Sequence, residues 1–256
     1  MKRILTEAVH QPRPLPSGPW IMAQSWHNLL FAHWPVPLSD LRSVISSQLE
    51  IDTFEGQAWI AVVPFQMSGV RLRTTPAMPW LSAFPELNVR TYVKMGAKPG
   101  VWFFSLDAAN PVAVAIARAW FHLPYFRAAM DLKERNDTIH YSSKRNHSGA
   151  REAILRAQYS PVGPAFAPKK DSLEHFLTER YCLYTVGRSG RIIRGEIHHA
   201  PWQLQIAEAK FQENTMALAA GFVLPTQKPL LHFAKRQDVA VWRPEYVDDR
   251  ETSSIC

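Results

Sequence analysis

The chain has 256 residues, 46% of them hydrophobic and 20% charged, a globular balance long enough to bury a substantial core as one large domain or two small ones. Its net charge of +7 comes from scattered bases, with Lys144-Arg145 and Lys169-Lys170 the densest clusters. Neither cluster is interleaved with aromatics, so the charge reads as a solvated basic surface and not as a nucleic-acid site. The two cysteines, Cys182 and Cys256, form no Cys-x-x-Cys motif and no expected disulfide, which suits a reducing, cytoplasmic setting. "MKRIL" runs at once into polar, proline-rich sequence, unlike a signal-peptide core, and no apolar run is long enough to span a bilayer.

Twenty prolines, nine tryptophans and eleven glycines favour strands with stiff connections over helices. Residues 1–19 read as an irregular lead-in. "WHNLLFAHWPV" is a strand candidate, rich in aromatic and branched residues. "SDLRSVISSQLEID" offers Ser39 or Asp40 as a cap and spaces Leu41, Val44, Ile45 and Leu49 as a short amphipathic helix would. "QAWIAVVPFQMSGVRLR" is a long strand, bent or placed at an edge by Pro64. "PELNVRTYVK" alternates, with Leu87, Val89, Thr91 and Val93 on one face and Glu86, Asn88, Arg90, Tyr92 and Lys94 on the other. "GVWFFSLD" is a further strand, buried by its composition.

Asn110 is a good N-cap and Pro111 a good first helical residue. Val112 to Phe121 is apolar nearly all round, which predicts a helix buried on most sides and ending near Leu123, ahead of Pro124. "YFRAAMDLKE", "TIHYSSKR" and "REAILRAQYS" follow as strands. "DSLEHFLTER" is a helix capped by Asp171 or Ser172. "YCLYTV", "IIRGEIHHAP", "WQLQIAEAKFQ" and "LLHFAKRQDVAVW" complete a strand-rich second half, with Gly187 to Gly190 as a hairpin turn. Residues 20–247 read as one α+β domain on a large antiparallel sheet or barrel, and 248–256 as a polar tail.

"LRSVISSQLEIDTFEGQAWIAVVPFQMSGVR", "ELNVRTYV", "GVWFFSLDAANPVAVAIARAWFHLPY", "FLTERYCLYT" and "LLHFAKRQDVAVW", in that order, resemble the YqjF-like family of bacterial proteins of unknown function. That family in turn resembles the acetoacetate decarboxylases through "LRSVISSQLEID", "SLDAANPVAVAIARAW" and the proline that ends the second segment. The resemblance implies a closed, cone-like antiparallel β-barrel with flanking helices. In the decarboxylases a Pro-Lys-Lys tract follows the helix; its first lysine forms a Schiff base and its second lowers the pKa of the first. Here the tract is Pro124-Tyr125-Phe126. A phenol forms no imine, Phe126 carries no charge, and Arg127 stays protonated. Imine chemistry is therefore not expected at this corner.

The resemblance places Glu86, 39 residues before Tyr125, where the decarboxylases keep a pocket glutamate. In a dry pocket it could act as acid or base; the alternative is an ion pair with Arg90 or exposure to solvent. Arg90 could clamp a carboxylate or be an ordinary strand arginine. Tyr125 could donate to a ligand oxygen or to a backbone partner. Phe126 and Trp102 complete the candidate pocket lining, with Arg71 and Arg73 at its rim or in solvent. Of Trp26, Trp34, Trp59, Trp80, Trp102 and Trp120, most read as core, with one or two lining a cavity.

The histidines are scattered, and His198 and His199 point to opposite faces of a strand, so no metal site and no cofactor are expected. There is no nucleophile elbow, phosphate loop or dinucleotide fingerprint. Three functions stay open. The first is a protein binding a small organic ligand, such as a carboxylate, inside the barrel. The second is a lyase or isomerase in which Glu86 shuttles a proton while Tyr125 or an arginine polarises a carbonyl. The third is a protein-interaction module. Neither a membrane nor nucleic acid is an expected partner. The decarboxylases assemble into multimers, so the resemblance implies a homo-oligomer.

Overall fold

The computed structural model describes residues 14–78 and 82–247. Part of the lead-in (1–13), Trp80 and the tail (248–256) lie outside the described residues, and 14–19 hold no helix or strand. Among the described residues, thirteen strands form one sheet: β1 (Met22–Val36), β2 (Glu50–Ile51), β3 (Ala58–Leu72), β4 (Phe84–Met95), β5 (Lys98–Ala108), β6 (Tyr125–Arg135), β7 (Thr138–Arg145), β8 (Ile154–Phe166), β9 (Cys182–Val186), β10 (Ile192–His199), β11 (Leu204–Asn214), β12 (Leu230–Val241) and β13 (Glu245–Val247). The helices among the described residues are α1 (Leu38–Arg42), α2 (Pro111–Trp120), α3 (Leu173–Thr178) and α4 (Met216–Ala219).

The sheet closes on itself twice. β12, β1, β3, β4 and β5 form a continuous wall. One edge of β5 pairs with β6 at its far end and with β9 nearer its start, and β12 likewise pairs with both β11 and β10. One ring therefore returns through β6, β7, β8 and β11, and the other through β9 and β10. The closed sheet matches the fold implied by the resemblance, with one difference. The β5–β6 and β5–β9 pairings are parallel, the first because α2 carries the chain back before β6 begins.

The common wall buries apolar residues on both faces, and alternate residues serve different cores. Leu30, Ala32, Ile60, Val62, Leu87 and Val89 pack with Ile139, Tyr141, Leu155 and Tyr159 of β7 and β8. Leu29, Phe31, Ala61, Val63 and Phe65 face the other way, with Leu106, Val114, Tyr125 and Trp202. Pro64 does not sit at an edge. It pairs with Leu87 of β4, but on its other side the β1–β3 register breaks between His27 and Ala32, so its missing N–H falls where the ladder is interrupted. Asn28, inside that interruption, has φ of 50°.

Two helix expectations need correction. Only residues 38–42 of the first helical pattern are helical, with Pro37 and not Ser39 or Asp40 at the N-cap. Leu41, Ile45 and Leu49 are buried as the spacing required, whereas Val44 is exposed. The Arg42 side chain donates to the carbonyls of Ile45, Ser46 and Leu49, satisfying an irregular chain in place of further helical turns. The second helix, α2, starts as expected, with Asn110 Oδ1 accepting from the N–H groups of Val112 and Ala113. It stops at Trp120, because His122 adopts a φ of 52°. It is not buried on most sides: only Val114 is, while Val112, Ile116 and Trp120 are 46%, 48% and 67% exposed. Ser172 caps α3 by accepting from the His175 N–H.

Candidate functional site

A cavity of about 530 Å³ opens on the Leu29–Phe31–Val63 face of the common wall. Three successive same-face residues of β4 enter it, Glu86, Asn88 and Arg90, spaced as period-2 alternation places them. The remaining lining is mostly apolar, including Trp26, Phe31, Phe65, Phe103 and Trp202.

Tyr125 reaches this cavity because of how β6 begins. Pro124 ends the irregular segment after α2, and its carbonyl accepts from the Leu106 N–H, which docks the new strand beside β5. Arg118 of α2 then donates to the Tyr125 carbonyl at 2.6 Å. The Tyr125 hydroxyl donates to Glu86 Oε2 at 3.0 Å, with both residues buried. From behind, the Tyr141 hydroxyl donates to the Glu86 carbonyl at 2.7 Å, fixing the strand that presents the carboxyl. Glu86 thus meets neither solvent nor Arg90; its side-chain partner is a phenol. Burial pushes its carboxyl up to about 8, opposed by the Tyr125 hydrogen bond, with nearby Asp107 pushing the same way as burial. At neutral pH Glu86 is therefore a neutral acid. Burial and the Glu86 carboxyl together hold the Tyr125 phenol well above the usual range.

Arg90 is differently placed. Its guanidinium lies 5.5 Å from the Phe31 ring centre and 5.9 Å from that of Tyr92, and one terminal nitrogen makes a long 3.4 Å contact to the Leu177 carbonyl. Its Nε is buried with no hydrogen-bond partner, as are Asn88 Oδ1 and Trp26 Nε1, all on the cavity lining. Arg180 also lines the cavity, yet its charge is met by Asp52 at 2.5 Å and its Nε donates to the Phe176 carbonyl. Unpartnered buried polar groups are costly in a folded protein and call for an explanation, such as a bound ligand, ion or water.

The other candidates lie apart. Phe126 points away from Tyr125 and stacks 4.1 Å from the Arg145 guanidinium, itself a bidentate partner of buried Asp107. Trp102 packs against the core on the other side of the wall. Neither lines the cavity. Arg71 is on the lining and donates to the Gly69 carbonyl, whereas Arg73 lies over Trp20. Of the six tryptophans weighed as core or cavity lining, Trp26 and Trp120 line the cavity, and Trp120 is exposed.

A family match spans residues 23–238. The chain belongs to the DUF2071 family, described as uncharacterized conserved protein. This DUF2071 member is 49% identical over 239 residues to Uncharacterized protein YqjF of Bacillus subtilis (strain 168), covering 93% of this chain and 98% of that one. Its fold is that of acetoacetate decarboxylase-like structures. It superposes on acetoacetate decarboxylase from Legionella pneumophila subsp. pneumophila str. Philadelphia 1 with a TM-score of 0.64 at 13% identity, covering 96% of this chain and 95% of that one. The enduracididine biosynthesis enzyme MppR, complexed with pyruvate, gives 0.61 at 10% identity, over 93% and 94% of the two chains.

In the DUF2071 chain, none of the described residues lining the cavity is a lysine. Asn88 is not among the site residues expected from the sequence. Asn88 was legible, since it shares a strand face with Glu86 and Arg90 and sits between them. The inward turn of Trp26, Arg180 and His199 depends on how the β9–β10 ring closes, and no local pattern carried it.

Proposed function

We propose that this protein binds a small organic acid non-covalently in the cavity, its carboxylate on Arg90 and a second oxygen on the neutral Glu86–Tyr125 pair. The observation that carries the reading is Arg90 itself: a partly buried arginine whose Nε is buried and unpartnered, next to an unpartnered Asn88 Oδ1, in a mostly apolar cavity. A bidentate anion would complete its hydrogen bonds. The absence of lysine from the described lining supports binding without an imine. The structural neighbour MppR is complexed with pyruvate, which makes a small oxo acid the first ligand class to try. A cavity with inward-facing polar groups also favours a ligand over a solid-centred interaction module.

A thermal-shift screen of carboxylates and 2-oxo acids tests this. A binder present at 100 times its dissociation constant adds about 2.7 kcal/mol to stability. The shift should vanish in Arg90→Ala; a shift that survives this change, or no shift with any acid, would defeat the proposal.

A second reading, a lyase or isomerase without a covalent intermediate, is favoured by the state of Glu86. A carboxyl that holds its proton to about pH 8 is suited to donating to a developing enolate oxygen or carbanion, with Tyr125 orienting it. Proton NMR in deuterium oxide should then show exchange at the carbon next to the carbonyl of a bound oxo acid, lost in Glu86→Gln. Equal exchange by the variant would remove Glu86 from that role.

A further inference from the structure

Resting on that reading of the site, we infer that the ligand is an amphipathic acid: a polar head held by β4 and a hydrocarbon body that runs out along α2. Three features of the molecule converge on this. The cavity, at about 530 Å³, falls in the roughly 300–1,000 Å³ range of sites for drug-sized ligands, and a three- or four-carbon acid would leave most of it empty. Glu86, Asn88 and Arg90 stand together on one strand face, Arg180 is occupied by Asp52, and much of the remaining lining, including Leu29, Phe65, Phe103 and Trp202, is apolar. The apolar character also continues outward.

Val112, Ile116 and Trp120 recur every fourth residue along α2, so they form one stripe. All three line the cavity and all three are substantially exposed, as are Leu72 and Met78, which also line it. Contiguous exposed apolar surface is uncommon on soluble domains and marks binding sites. Here it is continuous with a cavity whose deep end carries an acid-binding arginine, which commits the stripe to the body of the same ligand. Glu86 at 2% and Tyr125 at 9% exposure set the head end deep, and Trp120 at 67% sets the tail end at the rim.

Isothermal titration with straight-chain carboxylates of four, six, eight and ten carbons, kept below their micelle concentrations, tests the inference. Alkylamines of the same lengths serve as the head-group control. Affinity for the carboxylates should tighten about fourfold per added methylene until the rim is reached, and the amines should bind far more weakly. Ile116→Glu should weaken the ten-carbon acid about tenfold or more by placing a charge on the tail path, and Trp120→Ala should weaken it less; both side chains are exposed, so melting temperatures should be unchanged.

Carboxylates that bind with an affinity independent of length would overturn the inference and leave the small-acid reading standing. No binding by any carboxylate would overturn the small-acid reading itself. Amines that bind as well as acids would overturn the assigned head. If Ile116→Glu leaves the ten-carbon affinity intact and instead converts a dimer to a monomer in sedimentation, the stripe is an interface between copies and the inference fails.

Discussion

The two faces of the wall built from β12, β1, β3, β4 and β5 share the same strands and differ by one residue of offset. On one face, Leu30, Val62, Leu87 and Val89 are sealed against β7 and β8. On the other, Leu29, Val63, Glu86, Asn88 and Arg90 border open space. The backbone hydrogen bonds are common to both, so the difference between a core and a site lies in what stands opposite. Broad sheet strands pack the first face. A short β9–β10 return, the slim helix α2 and two tryptophans leave room over the second.

The contrast is sharpest in charge. Arg145 is buried and answered by Asp107, in a bidentate pair 4% and 0% exposed at the side chains. Arg145→Met should therefore cost about 3–5 kcal/mol in denaturant unfolding, because it leaves an uncompensated carboxylate. Arg90→Met should cost less than about 1 kcal/mol, since Arg90 has no carboxylate partner among the described ion pairs. Equal losses would erase the distinction between a structural and a waiting arginine.

Packing gives a matched pair on adjacent residues. Leu30→Ala opens a hole in a filled core and should cost about 4 kcal/mol, whereas Leu29→Ala enlarges a cavity that already exists and should cost about 2 kcal/mol. Both values come from chemical denaturation, and a reversed order would mean that the cavity is not open in solution.

The pH dependence of stability separates the faces further. Glu86 keeps its proton in the folded state up to about pH 8, while unfolded it loses it near 4.5. The folded protein therefore binds the extra proton between these values. The stabilising contribution of the neutral carboxyl is complete below about 4.5 and disappears as pH rises through about 8, by up to about 1.4 kcal/mol per unit. His33 and His199 act oppositely: burial lowers both, so their uncharged forms add stability as pH rises toward 6.5. Above 6.5 the Glu86 slope is left without this opposition, and Glu86→Gln should flatten it. An unchanged slope would place the ionisation of Glu86 elsewhere.

A small effect is also expected from Tyr125→Phe, about 1 kcal/mol for the lost hydrogen bond. Because that bond holds the Glu86 carboxyl down, its removal should move the descending limb to higher pH. A shift to lower pH would contradict the donor–acceptor arrangement.

Much of this was legible in the residues. The alternation of "PELNVRTYVK" put Glu86, Asn88 and Arg90 on one face, and Pro124-Tyr125 marked where a strand begins beside them. The fold followed from resemblance along nearly the whole chain. What failed had a common cause. Helical spacing at Leu41–Leu49 measured burial correctly but not helicity, since Arg42 satisfies the irregular carbonyls through space. The apolar composition of α2 predicted burial in protein, whereas part of that surface lines a cavity and its rim. Phe126 and Trp102 were nominated beside true neighbours in sequence, yet strand alternation sends Phe126 to Arg145 and Trp102 to the opposite core.

The role of Arg90 is most directly tested by isothermal titration of one carboxylate that binds the wild-type protein, repeated on Arg90→Met at pH 7. Recognition by Arg90 predicts a one-to-one complex with the wild type, loss of at least about tenfold in affinity in the variant, and an unchanged melting temperature without ligand. Equal affinity in the two proteins would contradict it and place the acid's binding site elsewhere.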